Sequence, residues 1–130
     1  MSAERRTVPS LHPPPGYAHV AVASGRLVYT AGAVPLDAAG NVVAVGDVPG
    51  QARQVIANLL ESLAEGGAAP PDVVKTTVYV AGDRAALAAA WEVVRASPLA
   101  GAPSTLLGVA VLGYPEQLVE IEAVAVVGAD

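Results

Sequence analysis

Apolar and polar positions separate most clearly after Gln51. Val55, Ile56, Leu59, Leu60 and Leu63 recur at helical spacing, opposite Arg53, Asn58, Glu61 and Glu65. This predicts an amphipathic core helix. Asp47 supplies an N-cap, Pro49 suits the first turn, and Gly66-Gly67 ends the element. The β-branched run Val73–Val80 predicts a strand. Gly82-Asp83 then opens a second helix to about Ala96, with Leu87, Trp91 and Val94 on one face. Elsewhere the period is two. Tyr17 to Ala23 alternates with Ala18, Val20 and Val22 on one side, and Arg26–Thr30 resumes after the turn signal Ser24-Gly25. The two runs together read as a hairpin. Val42–Val45 predicts a short strand after the turn Asp37–Asn41. Ser104–Leu112 and Leu118–Val126 are the last two strands, joined through Gly113-Tyr114-Pro115.

The order β-β-(β)-α-β-α-β-β predicts an α+β fold, a mixed sheet with two helices packed on one face. Strand–helix–strand crossovers join the early strands to Val73–Val80 and that strand to Ser104–Leu112; such crossovers are right-handed between parallel strands. Residues 1–15 are polar and end in His12-Pro13-Pro14-Pro15, which forbids a helix and reads as a flexible arm. Residues 16–130 read as one domain.

Composition adjusts this picture in three ways. Hydrophobic residues make up 53% of the chain, yet there is no Phe and one Trp, so the core is built from small and branched side chains. Such a chain leaves apolar surface for contacts between subunits. A net charge of −5 provides no basic patch for nucleic acid. The absence of cysteine excludes disulfides, a thiol nucleophile and thiolate metal sites, and two isolated histidines, His12 and His19, do not form a metal cluster. No apolar run approaches the roughly 18 to 20 residues that span a bilayer. Arg5-Arg6 lacks an apolar segment behind it, so a signal peptide is not expected and the expected location is the cytoplasm.

The candidate chemistry lies in the last strand. Val119, Ile121, Ala123 and Ala125 share one face, and Glu120 and Glu122 share the other with Leu118, Val124 and Val126. A carboxylate there reaches water, finds a partner, or serves a site. Gly32, between Ala31 and Ala33, is either a strand bulge or a point of close ligand approach. Trp91 reads as a core anchor.

These stretches resemble the Rid (YjgF/YER057c/UK114) proteins from about Gly16 to Val126. The resemblance is carried by Gly16-Tyr17, by Val28–Pro35 with Gly32 at its centre, and by Gln51–Gln54 with Asn58-Leu59. It continues in Val74–Val80 and Val119–Val126. It implies a chorismate-mutase-like fold, a homotrimer with small-molecule clefts between subunits, and neither metal nor organic cofactor. It further implies hydrolysis of reactive enamines and imines to ammonia and a 2-keto acid. Glu120 would position the attacking water as the catalytic residue. Tyr17 would close the cleft and the Gly32 backbone would hold the ligand, with Ser104, Thr105 and Leu106 contributed by the penultimate strand.

One position departs from the family. Aligned on Gly108-Val109-Ala110, Ser104 stands where active members carry an arginine that grips the substrate carboxylate. A neutral hydroxyl does not replace a guanidinium fork, and such an ion-pair contact at a desolvated carboxylate is worth on the order of 2–5 kcal/mol. The expectation is a divergent Rid protein acting on an enamine, imine or related carbonyl compound with an uncharged end. The alternative is a non-catalytic binder or pathway partner on the same scaffold. Arg84 or Arg26 of a neighbouring subunit is a candidate for the missing charge. Ribonuclease activity, ascribed to some relatives, is disfavoured by the acidic balance and scarce aromatics, and no membrane association is expected.

Overall fold

In the computed structural model, residues 3–128 are described; residues 1, 2, 129 and 130 lie outside the described residues. Three short strands come first: β1 (Glu4–Arg6), β2 (Val20–Val22) and β3 (Arg26–Tyr29). Helix α1 (Val48–Glu65), strand β4 (Val73–Ala81), helix α2 (Arg84–Arg95), strand β5 (Ser104–Val109) and strand β6 (Val119–Val127) follow. The main sheet has the order β3-β6-β4-β5. β4 and β5 are parallel, and β6 runs antiparallel to both β3 and β4. The two helices pack on one face of this mixed sheet, the α+β arrangement that the pattern predicts.

Both helices form for local reasons. The Asp47 carboxylate accepts from the Gly50 N–H at 3.0 Å, and Asp83 accepts from Ala86 N–H at 3.0 Å. Ala52, Val55, Ile56, Leu59 and Leu63 bury the inner face of α1, while Leu60 is only partly covered. Ala90 and Val94 do the same for α2. Gly67 takes φ +84 just past α1, where a left-handed residue releases the chain.

Strand pairing differs from the sequence expectation near the N-terminus. Val20–Val22 and Arg26–Tyr29 do not form a hairpin with each other: β2 pairs with β1, and β3 pairs with β6. Gly25 is the reason the chain turns away. It adopts φ +144, and a Cβ there would run into the Val127 carbonyl oxygen, so only glycine lets β3 lie beside β6.

Within the N-terminal stretch, Glu4–Arg6 pair with Val20–Val22. Arg6 O accepts from His19 N–H at 3.1 Å. The Arg5 guanidinium donates to Pro70 O at 2.8 Å and Val73 O at 3.2 Å, and partial burial lowers its pKa. Val42–Val45 is not a strand; Val42 makes one bridge, to Leu36. The penultimate strand stops at Val109 because its partner β4 ends at Ala81.

Pairing assigns every strand residue to a face. Val73, Thr76, Val78 and Val80 of β4 are buried toward the helices, with Val119, Ile121, Ala123 and Ala125 of β6. The opposite face carries Thr77 and Tyr79 of β4, and Glu120, Glu122 and Val124 of β6. Leu27 and Tyr29 of β3 join it, 60% and 71% exposed. This open face bears both acids of the last strand.

Candidate functional site

The residues singled out in the sequence fall into two groups on opposite faces of the sheet. Ser104 pairs with Thr76, and the two hydroxyls share a hydrogen bond of 2.8 Å, so Ser104 faces the helix side with the buried Thr76. Leu106 follows two residues later on the same side. There a cavity of about 240 Å³ is lined by Pro15, Tyr17, Trp91, Ser104 and Leu106. The chain reaches this place through Gly16, at φ +90, where an added Cβ would sit 3.0 Å from Arg95 Cβ. Trp91 of α2 donates its indole N–H to Pro15 O at 2.8 Å. Tyr17 meets Trp91 edge-on, with ring centroids 6.1 Å apart, and His19 at 6.2 Å. Trp91 is therefore a cavity wall as well as a packing residue.

Glu120 belongs to the other face, beside Gly32. The bridge between Ala33 and Ile121 brings the two strands together there. The Glu120 carboxylate occupies the space that a side chain at residue 32 would need: a Cβ would lie 2.6 Å from Glu120 Cδ. The other carboxylate oxygen, Oε1, accepts from Gln117 Nε2 at 3.0 Å. Gln117 is itself buried, gives a second hydrogen bond to Val119 O at 3.1 Å, and accepts from Tyr114 N–H at 3.1 Å. Its loop is held in turn by the fully buried Gln51 of α1. That side chain donates to Glu116 O at 3.0 Å and accepts from Leu118 N–H at 2.7 Å. Gln51 thus anchors the backbone on both sides of Gln117, whose side chain holds one oxygen of Glu120.

Glu122 has a different partner. It accepts from the Tyr79 hydroxyl at 3.1 Å. The Tyr79 pKa is raised, first by burial, then by the hydrogen bond to Glu122 and the charges of Glu122 and Glu120. Thr105 is also on the open face and accepts from Lys75 Nζ at 2.6 Å. Within one copy, then, the fold unites Tyr17, Ser104 and Leu106, and separately Gly32 and Glu120; Thr105 shares the open face with the second group.

Gln117 and Trp91 escape a reading of the sequence as site residues. Gln117 stands in a turn-rich segment where no helical or strand period assigns it a direction. Trp91 obeys the periodicity of a core helix, and only the path of Pro15–Tyr17 over it creates a wall.

Comparison with known proteins agrees with this architecture. The endoribonuclease L-PSP family matches residues 9–127. The structure of the Rid protein YyfB from Yersinia pestis, described as of unknown function, superposes with a TM-score of 0.87 at 34% identity, covering 98% of this chain and 100% of that one. The chain belongs to this family, the Rid proteins. A YjgF/YER057c/UK114 member from Mycobacterium tuberculosis gives a TM-score of 0.65 at 27% identity, covering 97% of this chain and 100% of that one. E. coli TdcF, solved with bound serine, gives 0.69 at 26% identity over 98% of each chain. A RutC family protein of Pyrococcus abyssi is 38% identical over 60 residues, 46% of this chain and 47% of the relative. The matched region therefore spans about half the length of that curated relative. Among its described residues this Rid protein has no helix long and apolar enough to cross a membrane, and no cluster of three metal-ligating side chains.

Proposed function

We propose that this Rid protein binds a small reactive metabolite and hydrolyses its C=N bond, with Glu120 positioning the attacking water. The observation that carries the reading is the Glu120 carboxylate, held at one oxygen by Gln117 and seated against the bare backbone of Gly32. A fixed carboxylate accepts a proton from water as the water oxygen bonds to the imine carbon. Return of that proton to nitrogen gives the carbinolamine; its C–N bond then breaks as the new hydroxyl's proton passes to nitrogen, which releases ammonia and leaves a carbonyl. An enamine first shifts a proton to become the imine, so water is the only co-reactant. Bound serine in TdcF supports a ligand of metabolite size.

Because the Ser104 group and Glu120 lie on opposite faces of one sheet, a ligand touching both needs two copies. We therefore infer that neighbouring copies complete the cleft in a homotrimer. The exposed Leu27 and Tyr29 of the open face support this. Light scattering on the eluted protein is expected to give three times the 12.9 kDa chain mass; a monomer at micromolar concentration contradicts the shared cleft.

Ser104 directs the choice of substrate. With no guanidinium at that position, we expect slow ammonia release from 2-aminoacrylate generated in situ, and a gain of about tenfold or more in Ser104→Arg. Strong activity in the parent, unchanged by the substitution, removes the significance given to residue 104. The same missing charge favours a second reading, a non-catalytic binder; saturable binding of pathway intermediates without product supports that one. RNA cleavage is the activity for which the endoribonuclease L-PSP family is named, but a net charge of −5 offers little attraction for a phosphate backbone.

A further inference from the structure

We propose that the cavity between Tyr17, Trp91, Ser104 and Leu106 takes a flat, uncharged ring bearing a carbonyl acceptor. This rests on the small-metabolite reading above and names the chemical class for that half of the site. The cavity, about 240 Å³, corresponds to roughly eight water volumes at ~30 Å³ each, room for one substituted ring. Its walls suit such a group. Tyr17 and Trp91 meet at 73°, presenting two differently inclined aromatic surfaces, and Pro15 and Leu106 complete an apolar lining. The polar atoms are mostly engaged. The indole N–H is given to Pro15 O. Thr76 donates to Ser104, which leaves Ser104 its own hydroxyl proton for a ligand oxygen.

Within one copy, a carboxylate in the same place meets no cation. Among the described residues of one copy, no basic side chain lines the cavity, and Arg95, which runs past Gly16, is paired with Glu92 at 3.4 Å. Burying an anion against aromatic carbon without a counter-charge is strongly unfavourable, whereas a neutral carbonyl is satisfied by one hydroxyl.

Trp91 is the single tryptophan of the chain, so its emission reports on this wall alone. Titration of the full-length protein with benzamide is expected to change that emission saturably, with a Kd on the order of 1 mM. Benzoate, equal in shape but charged, is expected to bind at least about tenfold more weakly, and Ser104→Arg to reverse the order. Ser104→Ala, which removes the hydroxyl without adding bulk to the cavity, is expected to weaken benzamide roughly fivefold. Trp91→Leu, followed by calorimetry, is expected to abolish binding; if that variant fails to fold, the Ser104 pair carries the test. Benzoate binding as tightly as benzamide overturns the proposal. So does benzamide binding that leaves Trp91 emission unchanged, or no binding up to about 20 mM. None of these readouts needs turnover. Ring binding without hydrolysis leaves this inference standing and removes the catalytic role of Glu120; hydrolysis without ring binding does the reverse.

Discussion

Replacing Glu120 with glutamine is expected to lower imine hydrolysis by about 10²- to 10⁴-fold, the usual worth of a positioned general base. The substitution is selective. An amide oxygen at that position still accepts from Gln117 Nε2, and its size leaves the fit against Gly32 intact. Only the capacity to take a proton from water is lost. The melting temperature is expected to stay within about 2 °C of the parent, since the change is within the range of ordinary surface substitutions. Steady-state ammonia release and thermal melts, run side by side, check both parts. Hydrolysis at the parent rate in a folded Glu120→Gln protein would falsify the assignment of the water-positioning role.

Gln51→Leu is expected to cost about 3 kcal/mol of unfolding free energy, the largest stability loss expected of any single side chain near the site. Gln51 is fully buried, and its amide satisfies the carbonyl of Glu116 and the N–H of Leu118. Leucine fills similar space but leaves the Glu116 carbonyl and the partly buried Leu118 N–H without that partner. Glu116 sits at φ +68, a conformation that a non-glycine residue keeps only when its surroundings hold it. The 114–118 loop is therefore expected to loosen and to carry Gln117 away from Glu120. Urea denaturation measures the first effect, and loss of hydrolysis in the still-folded variant measures the second. A cost below about 1 kcal/mol would mean that water enters and replaces both bonds.

The sequence was most legible where structure is local. Asp47 and Asp83 cap their helices through groups three residues away, and Val55, Leu59 and Leu63 declare their face by spacing alone. The alternation of Val119, Ile121, Ala123 and Ala125 against Glu120 and Glu122 likewise survives unchanged, because a strand can present only two faces. The N-terminal hairpin failed for the opposite reason. Its two runs are neighbours in sequence, but β6, nearly a hundred residues later, offers β3 a longer apolar edge, and Gly25 lets that pairing close. Arg5 was equally unreadable, since its carbonyl partners come from the segment around Pro70–Val73.

The site divides along the same line. The type of residue at 17, 32, 104 and 120, and the resemblance those positions carry, are properties of the chain alone. So are the acidic charge and the lack of thiol chemistry. Tertiary structure decided what each residue faces. It set Ser104 and Leu106 against Tyr17 and Trp91 on the helix side, and Glu120 against Gly32 and Gln117 on the open side. The physical reason is parity along the strands combined with long-range pairing. A sequence states which residues alternate, but only the register of β4 with β5 and β6 states which surface each alternation meets.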